Sequence, residues 1–276
     1  MDAIGRGFRL ARASWSVVTE ERQLLVLPIL SFVASLVVMA VFALGIVGIG
    51  IPESEEDVGL GFYLLAFLFY VAMSFVTIFS NAAVIGAATE RLEGRDASLS
   101  IGLALARRHL GQIFVWAVIT ATVGMILRAI QERSGILGRI VAGIIGIAWN
   151  AITFFVVPVL LYEPVTAPEA IKRSATIFRA RWGEQFTGNA TIGLAMVLVG
   201  IAVSLPLIAL AAAAPVIGIP LLVLAVGAVA AAGAACSGVF NAALYRYAVT
   251  GEAAAPFTHE DLESWLAAMA SQSPAG

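Results

Sequence analysis

Apolar residues in this chain gather in long unbroken runs. Six of them approach or exceed the roughly 20 residues that a helix needs to cross bilayer hydrocarbon. They are Leu24–Ile51, Phe62–Thr89, Ile113–Leu127, Ile140–Tyr162, Phe186–Ala213 and Val216–Tyr245. The third is the shortest and is expected to borrow Gly111, Gln112 and residues 128–130 at its ends. None of the runs contains Asp, Glu, Lys, Arg or His, whose charged members each cost about 2.5–3.5 kcal/mol at mid-membrane. Pro215, Gly218 and Pro220 separate the last two runs, which predicts a tight hairpin there. The pattern predicts an all-α polytopic membrane protein with six transmembrane helices.

Between the runs the apolar residues fall into stripes at helical spacing. Ile4, Phe8, Ala11, Trp15 and Val18 form one stripe, and Ile171, Ala175, Phe178 and Trp182 another. The surrounding segments, AIGRGFRLARASWS (Ala3–Ser16) and AIKRSATIFRARWG (Ala170–Gly183), align without gaps. The alignment pairs Arg6 with Arg173, Arg12 with Arg179 and Trp15 with Trp182. A looser third copy, SLSIGLALARRHLG (Ser98–Gly111), keeps Arg107 and Gly111. Each segment precedes two spans, and the second span of each pair carries an Asn followed by Ala: Asn81, Asn150 and Asn241. The unit is therefore an amphipathic interfacial helix followed by a span pair, repeated three times in parallel. Many transporters are built instead from inverted repeats. Thr166, Pro168 and Glu169 give the third segment a helix start signal.

Charge placement orients the six spans. Thirteen Lys and Arg fall on one side: Arg6, Arg9, Arg12, Arg22, Arg91, Arg95, Arg107, Arg108, Lys172, Arg173, Arg179, Arg181 and Arg246. Three, Arg128, Arg133 and Arg139, fall on the other. The first loop on that other side, PESEED, has four acids and no base. The excess predicts both termini in the cytoplasm and residence in the cytoplasmic membrane. Residues 1–251 are expected to form one membrane domain and residues 252–276 a cytoplasmic tail. In the tail, Thr258 with Asp261 predicts a short acidic amphipathic helix striped by Leu262, Trp265, Leu266 and Met269. The 23 residues before the first run include Asp2, Glu20 and Glu21, which is not the form of a cleaved signal.

Composition narrows the chemistry. The chain is 61% hydrophobic and 12% charged, against about 25% charged in soluble domains. It lacks the basic excess of a nucleic-acid binder. Cys236 stands alone in an apolar run and reads as a small buried hydrophobe. His109 and His259 have no metal-ligand spacing with it. Phosphate-binding loops and nucleophile elbows are absent from the sequence. No catalytic residue, cofactor or metal is expected. The Arg- and Trp-bearing helices read as elbows and anchors in contact with anionic headgroups, through Arg6, Arg12, Trp15, Arg107, Arg173, Arg179 and Trp182. Asn81, Asn150 and Asn241 read as interhelical hydrogen-bonding groups that hold the even-numbered spans together. Glu163 reads as interfacial, and Pro28, Pro158 and Pro206 as sites of kinking. The expected partners are the anionic leaflet of the bilayer and a second copy or another membrane protein. The expected role is a non-catalytic structural or interaction component of the membrane. The alternative is a transporter or channel for a neutral or lipid-like molecule.

One stretch resembles a known group. VVPVLLYEPVTAPEAIKRSATIFRARWGEQFTGN (Val156–Asn189) resembles an uncharacterised family of prokaryotic six-helix membrane proteins. The matching residues are Pro158, Val159 and Glu163, then Glu169, Ala170, Ile171, Lys172, Arg173 and Ser174, then Trp182, Gly183 and Glu184. More distantly the stretch looks like the membrane domain of some glycerophosphodiester phosphodiesterases, whose soluble catalytic barrel has no counterpart here. The resemblance implies fold and membrane residence, and no activity.

Overall fold

The computed structural model describes residues 3–50, residues 59–182 apart from 97 and 134, and residues 204–259 apart from 209, 211 and 213. Among the described residues the chain is all helical, with nine principal helices. They are α1 (Ala3–Glu20), α2 (Gln23–Ile49), α3 (Leu60–Leu92), α4 (Leu99–Arg108), α5 (Leu110–Arg133), α6 (Gly135–Ile152), α7 (Val156–Tyr162), α8 (Ala167–Trp182) and α9 (Pro215–Thr250). Five stretches are long and apolar enough to cross a membrane: Gln23–Gly48, Leu60–Leu92, Leu110–Glu132, Gly138–Tyr162 and Pro215–Thr250. These coincide with five of the six predicted runs. The remaining run, Phe186–Ala213, falls largely outside the described residues, as do the acidic loop at Glu53–Asp57 and the stripe of the tail helix.

The three basic segments are helices α1, α4 and α8. Ser98 caps α4 by accepting from the Ile101 N–H at 3.2 Å. Glu169 reaches back over the start of α8: the Thr166 N–H and hydroxyl both donate to its Oε2, at 2.8 and 2.7 Å. The start signal at Thr166, Pro168 and Glu169 thus reads correctly, and the helix begins one residue after the cap. Pro215 opens α9 in its first turn, where a missing N–H costs nothing.

All three lead helices gather at one end of the bundle, where polar side chains lash them to the long helices. The Leu99 N–H donates to Gln23 Oε1 at 3.1 Å, tying α4 to α2. The Ala167 N–H donates to Gln112 Oε1 at 2.9 Å, tying α8 to α5. Arg91 at the end of α3 pairs with Glu20 at the end of α1 at 2.8 Å. Arg246 near the end of α9 donates to the Leu92 carbonyl at 3.1 Å. We call this the clasp end.

The buried core also sits there. Every buried hydrophobic side chain of α3 except Val71 lies between Ile78 and Leu92. Close approach of backbones needs residues without side chains. A Cβ on Gly238 of α9 would collide with Val84 of α3, and one on Gly102 of α4 with the Ala83 carbonyl. One on Gly227 would stand 2.5 Å from the Phe32 ring of α2. Cys236 is buried, as its apolar surroundings predict. The small residues of the last run are therefore contact points for α2 and α3.

Candidate functional site

The fourth candidate span is not one helix. α6 stops at Ile152, α7 starts at Val156, and Thr153–Phe155 turn between them. Pro158 is the physical cause. It has no N–H to give the carbonyl four residues earlier, which is that of Phe154, and its ring crowds that carbonyl. Within hydrocarbon a freed backbone group must be satisfied by the protein itself. Asn241 of α9 does this, its Nδ2 donating to the Phe154 carbonyl at 3.1 Å. The neighbouring Phe155 N–H is freed as well, because the Phe154 N–H takes the Ala151 carbonyl at 3.3 Å. The Phe155 N–H donates instead to Ser174 Oγ of α8 at 3.0 Å. Ser174 is wholly buried and Asn241 is 8% exposed. The Oδ1 of Asn241 is buried and accepts no hydrogen bond among the described residues.

Toward the clasp end the same elements meet again. Glu163, just past α7, accepts from Arg173 Nε of α8 at 3.0 Å. It also accepts from the Tyr245 hydroxyl of α9 at 3.1 Å. Tyr162 and Tyr245 stack with ring centroids 6.1 Å apart. So α7, α8 and α9 are joined twice, at the break and at the carboxylate. Electrostatics follow the hydrogen bonds. The Thr166 backbone and hydroxyl hold the Glu169 carboxyl below its ordinary range. Burial, and then the charge of Arg108, lower the imidazole of His109.

The predicted headgroup residues are dispersed over the lead helices. Arg12 and Trp15 are exposed on α1, Arg107 on α4, and Arg173 and Arg179 on α8. Of these Arg173 is engaged, by Glu163. The side chains of Arg6 and Trp182 lie outside the described residues. The three Asn do not converge. Asn150 is exposed on α6, whereas Asn241 is buried and Asn81 half-buried. A Cβ on Gly238 would stand 3.5 Å from Asn81 Oδ1, so Asn81 and Asn241 share the seam between α3 and α9. Tyr245 and the Phe154 carbonyl carry no sequence signal of their own as site residues, and Ser174 enters only through the motif of the resemblance. The signal for Phe154 lies in Pro158, four residues later. Nothing in the sequence marked Ser174 as its partner.

The break, its two side-chain partners and Glu163 all fall between residues 60 and 255. No curated protein and no solved structure matches the chain, and nothing links it to glycerophosphodiester phosphodiesterases. A model for a family of unknown function, DUF6159, matches residues 60–255, from the start of α3 to beyond α9. The chain belongs to this DUF6159 family.

Proposed function

We propose that this chain is a non-catalytic structural or interaction component of the cytoplasmic membrane. It has six spans in three pairs, each led by an interfacial helix, and both termini in the cytoplasm. One observation carries the reading: among the described residues, three of the four buried polar side chains, Ser80, Ser174 and Asn241, bond the bundle's own backbone, and Ser14 does not. Asn241 and Ser174 satisfy the break in the fourth span, and Ser80 donates to the Leu27 carbonyl at 3.1 Å to join α2 and α3. A substrate site would keep such groups free to face its ligand. The orientation is supported by thirteen Lys and Arg against three. The parallel repeat supports it too, because it places the three lead helices on one side. The exposed Arg12, Arg107 and Arg179 then meet the anionic leaflet, each contributing about 1 kcal/mol.

A second reading, transport of a neutral or lipid-like molecule, draws on the break itself. Interrupted helices line the binding sites of many transporters. Vesicle reconstitution separates the two. The structural reading expects no added flux of neutral solutes or fluorescent lipids over empty vesicles. A flux that Asn241→Leu abolishes would replace it with the transport reading. Fusions to reporters active only in the cytoplasm or only outside it test the orientation, with a C-terminal cytoplasmic reporter expected to be active.

A further inference from the structure

The candidate spans begin together at the clasp end and do not finish together at the other. After His109, α5 runs 18 residues without charge before Arg128, about 27 Å at 1.5 Å per residue. α3 has 30 charge-free residues from Leu60 to Thr89, and α9 has 31 from Pro215 to Tyr245, about 45 Å each. The hydrocarbon of an ordinary bilayer is about 30 Å thick. One contact sets the relative level. Arg128 Nη1 of α5 donates to the Tyr70 hydroxyl of α3 at 2.6 Å. Ten residues of α3 precede Tyr70, so α3 overhangs Arg128 by about 15 Å. α2 accompanies it, for Phe42 meets Phe69 with ring centroids 5.4 Å apart, and seven residues of α2 follow Phe42.

This overhang is apolar on its outside. Leu44, Val47 and Leu60 are 73%, 73% and 74% exposed. It also holds a crevice of about 240 Å³ between α2 and α3, lined among others by Met39, Phe42, Leu65 and Phe69. The exposed stripe of α2 is continuous. Val26, Leu30, Val33, Val37, Val41, Leu44 and Val47 follow each other at three- and four-residue steps from the clasp end to the overhang. A docking surface for a protein carries a polar rim, and this stripe has none along its length. Its composition is the same where the helix crosses ordinary hydrocarbon and where it overhangs.

We propose that the overhanging ends of α2, α3 and α9, the last levelled with α3 by the approach of Gly238 to Val84, are solvated by lipid acyl chains. The protein therefore fits a bilayer thicker than average on the α2–α3–α9 side and thins it on the α5 side, at Arg128. This rests on the membrane reading above. Hydrophobic mismatch costs fractions of a kcal/mol per Å, so the fit is measurable as stability.

The purified full chain is reconstituted in phosphatidylcholine vesicles with monounsaturated acyl chains of about 14 to about 24 carbons. Its thermal midpoint is followed by tryptophan fluorescence. The midpoint is expected to rise to the longest chains and to stand at least about 5 °C higher at 22 carbons than at 18. Val47→Glu with Leu64→Glu shortens the apolar length and should move the optimum to shorter chains. A wild-type optimum at about 16–18 carbons, with alkaline carbonate failing to extract the chain, overturns the proposal and leaves membrane residence standing. Extraction by carbonate overturns both. A midpoint indifferent to chain length, with crosslinked dimers that the double variant abolishes, assigns the overhang to a second copy and also overturns the proposal.

Discussion

Asn241 donates its side-chain amide to the carbonyl of Phe154, 87 residues away in sequence, at 3.1 Å. Phe154 stands four residues before Pro158, so the amide occupies the place of the N–H that proline lacks. The fourth candidate span is thereby broken and yet satisfied, and its break is stitched to α9. A kink with this cause is fixed in position, since the proline and its replacement donor sit on different helices.

The other stitch is Ser174. Ser174→Val removes the acceptor of the Phe155 N–H and leaves a buried donor unpaired, which costs about 1–3 kcal/mol. Thermal unfolding in detergent should show this loss. Because α8 loses its hold on the break, proteolysis within α8 should also become faster. An unchanged midpoint and unchanged proteolysis would mean that water serves the Phe155 N–H instead.

The carboxylate of Glu163 joins α8 and α9 through Arg173 and Tyr245. Arg173 is 45% exposed, so solvent screens the pair, and about 0–1 kcal/mol is expected from it. Tyr245→Phe removes a buried hydroxyl's hydrogen bond to the carboxylate and should cost more, about 1.5–3 kcal/mol. Melting of Glu163→Gln, Arg173→Gln and Tyr245→Phe in low and high salt checks the order. The glutamate and arginine variants, which both lose the ion pair, should narrow their difference from the parent as salt rises, and the tyrosine variant should not.

Gly238 and Gly143 offer a matched contrast. A side chain on Gly238 would meet Val84 across the α3–α9 seam, whereas Gly143 has open space around its Cβ position. Gly238→Val is expected to lower stability by about 1–3 kcal/mol through overpacking. Gly143→Ala should leave stability unchanged or raise it by up to about 1 kcal/mol. Equal effects at the two positions would contradict the close approach of α3 and α9.

The cap of α8 predicts a pH effect. Thr166 holds the Glu169 carboxyl below its unfolded range. A group whose folded value is depressed stabilises the fold above its unfolded value and loses that contribution as pH falls through the folded one. The parent should therefore lose a stability advantage over Glu169→Gln as the solution is acidified below the ordinary carboxylate range. Paired melts across the acidic range measure it, and a constant difference would remove the ionised cap from the account.

Periodicity and charge made the long helices legible, because an apolar run of this length has few alternatives. The lead helices were legible too, since Trp15 and Trp182 recur with Arg at one spacing. The cap at Thr166 and Glu169 is a local signal, closed within three residues, and it read correctly. The break was only half legible. Pro158 marks a kink, but the donor and acceptor that repair it come from Asn241 and Ser174, on helices remote in sequence. Equal places in the three copies of the repeat do not become equal environments. Asn150 is exposed on α6 while Asn241 is buried on α9. The overhang was hidden for a related reason. Run lengths are visible in sequence, but their relative level depends on a contact such as Arg128 with Tyr70.

The central claim, that Asn241 substitutes for the N–H missing at Pro158, is tested by a double-mutant cycle. Asn241→Leu alone should lower thermal stability by roughly 0.6–2 kcal/mol. Pro158→Ala supplies a backbone N–H that can reach the Phe154 carbonyl. In that background Asn241→Leu should cost measurably less, with a coupling energy of at least about 0.5 kcal/mol. Equal losses in the two backgrounds would show that Asn241 and Pro158 act independently and would contradict the account.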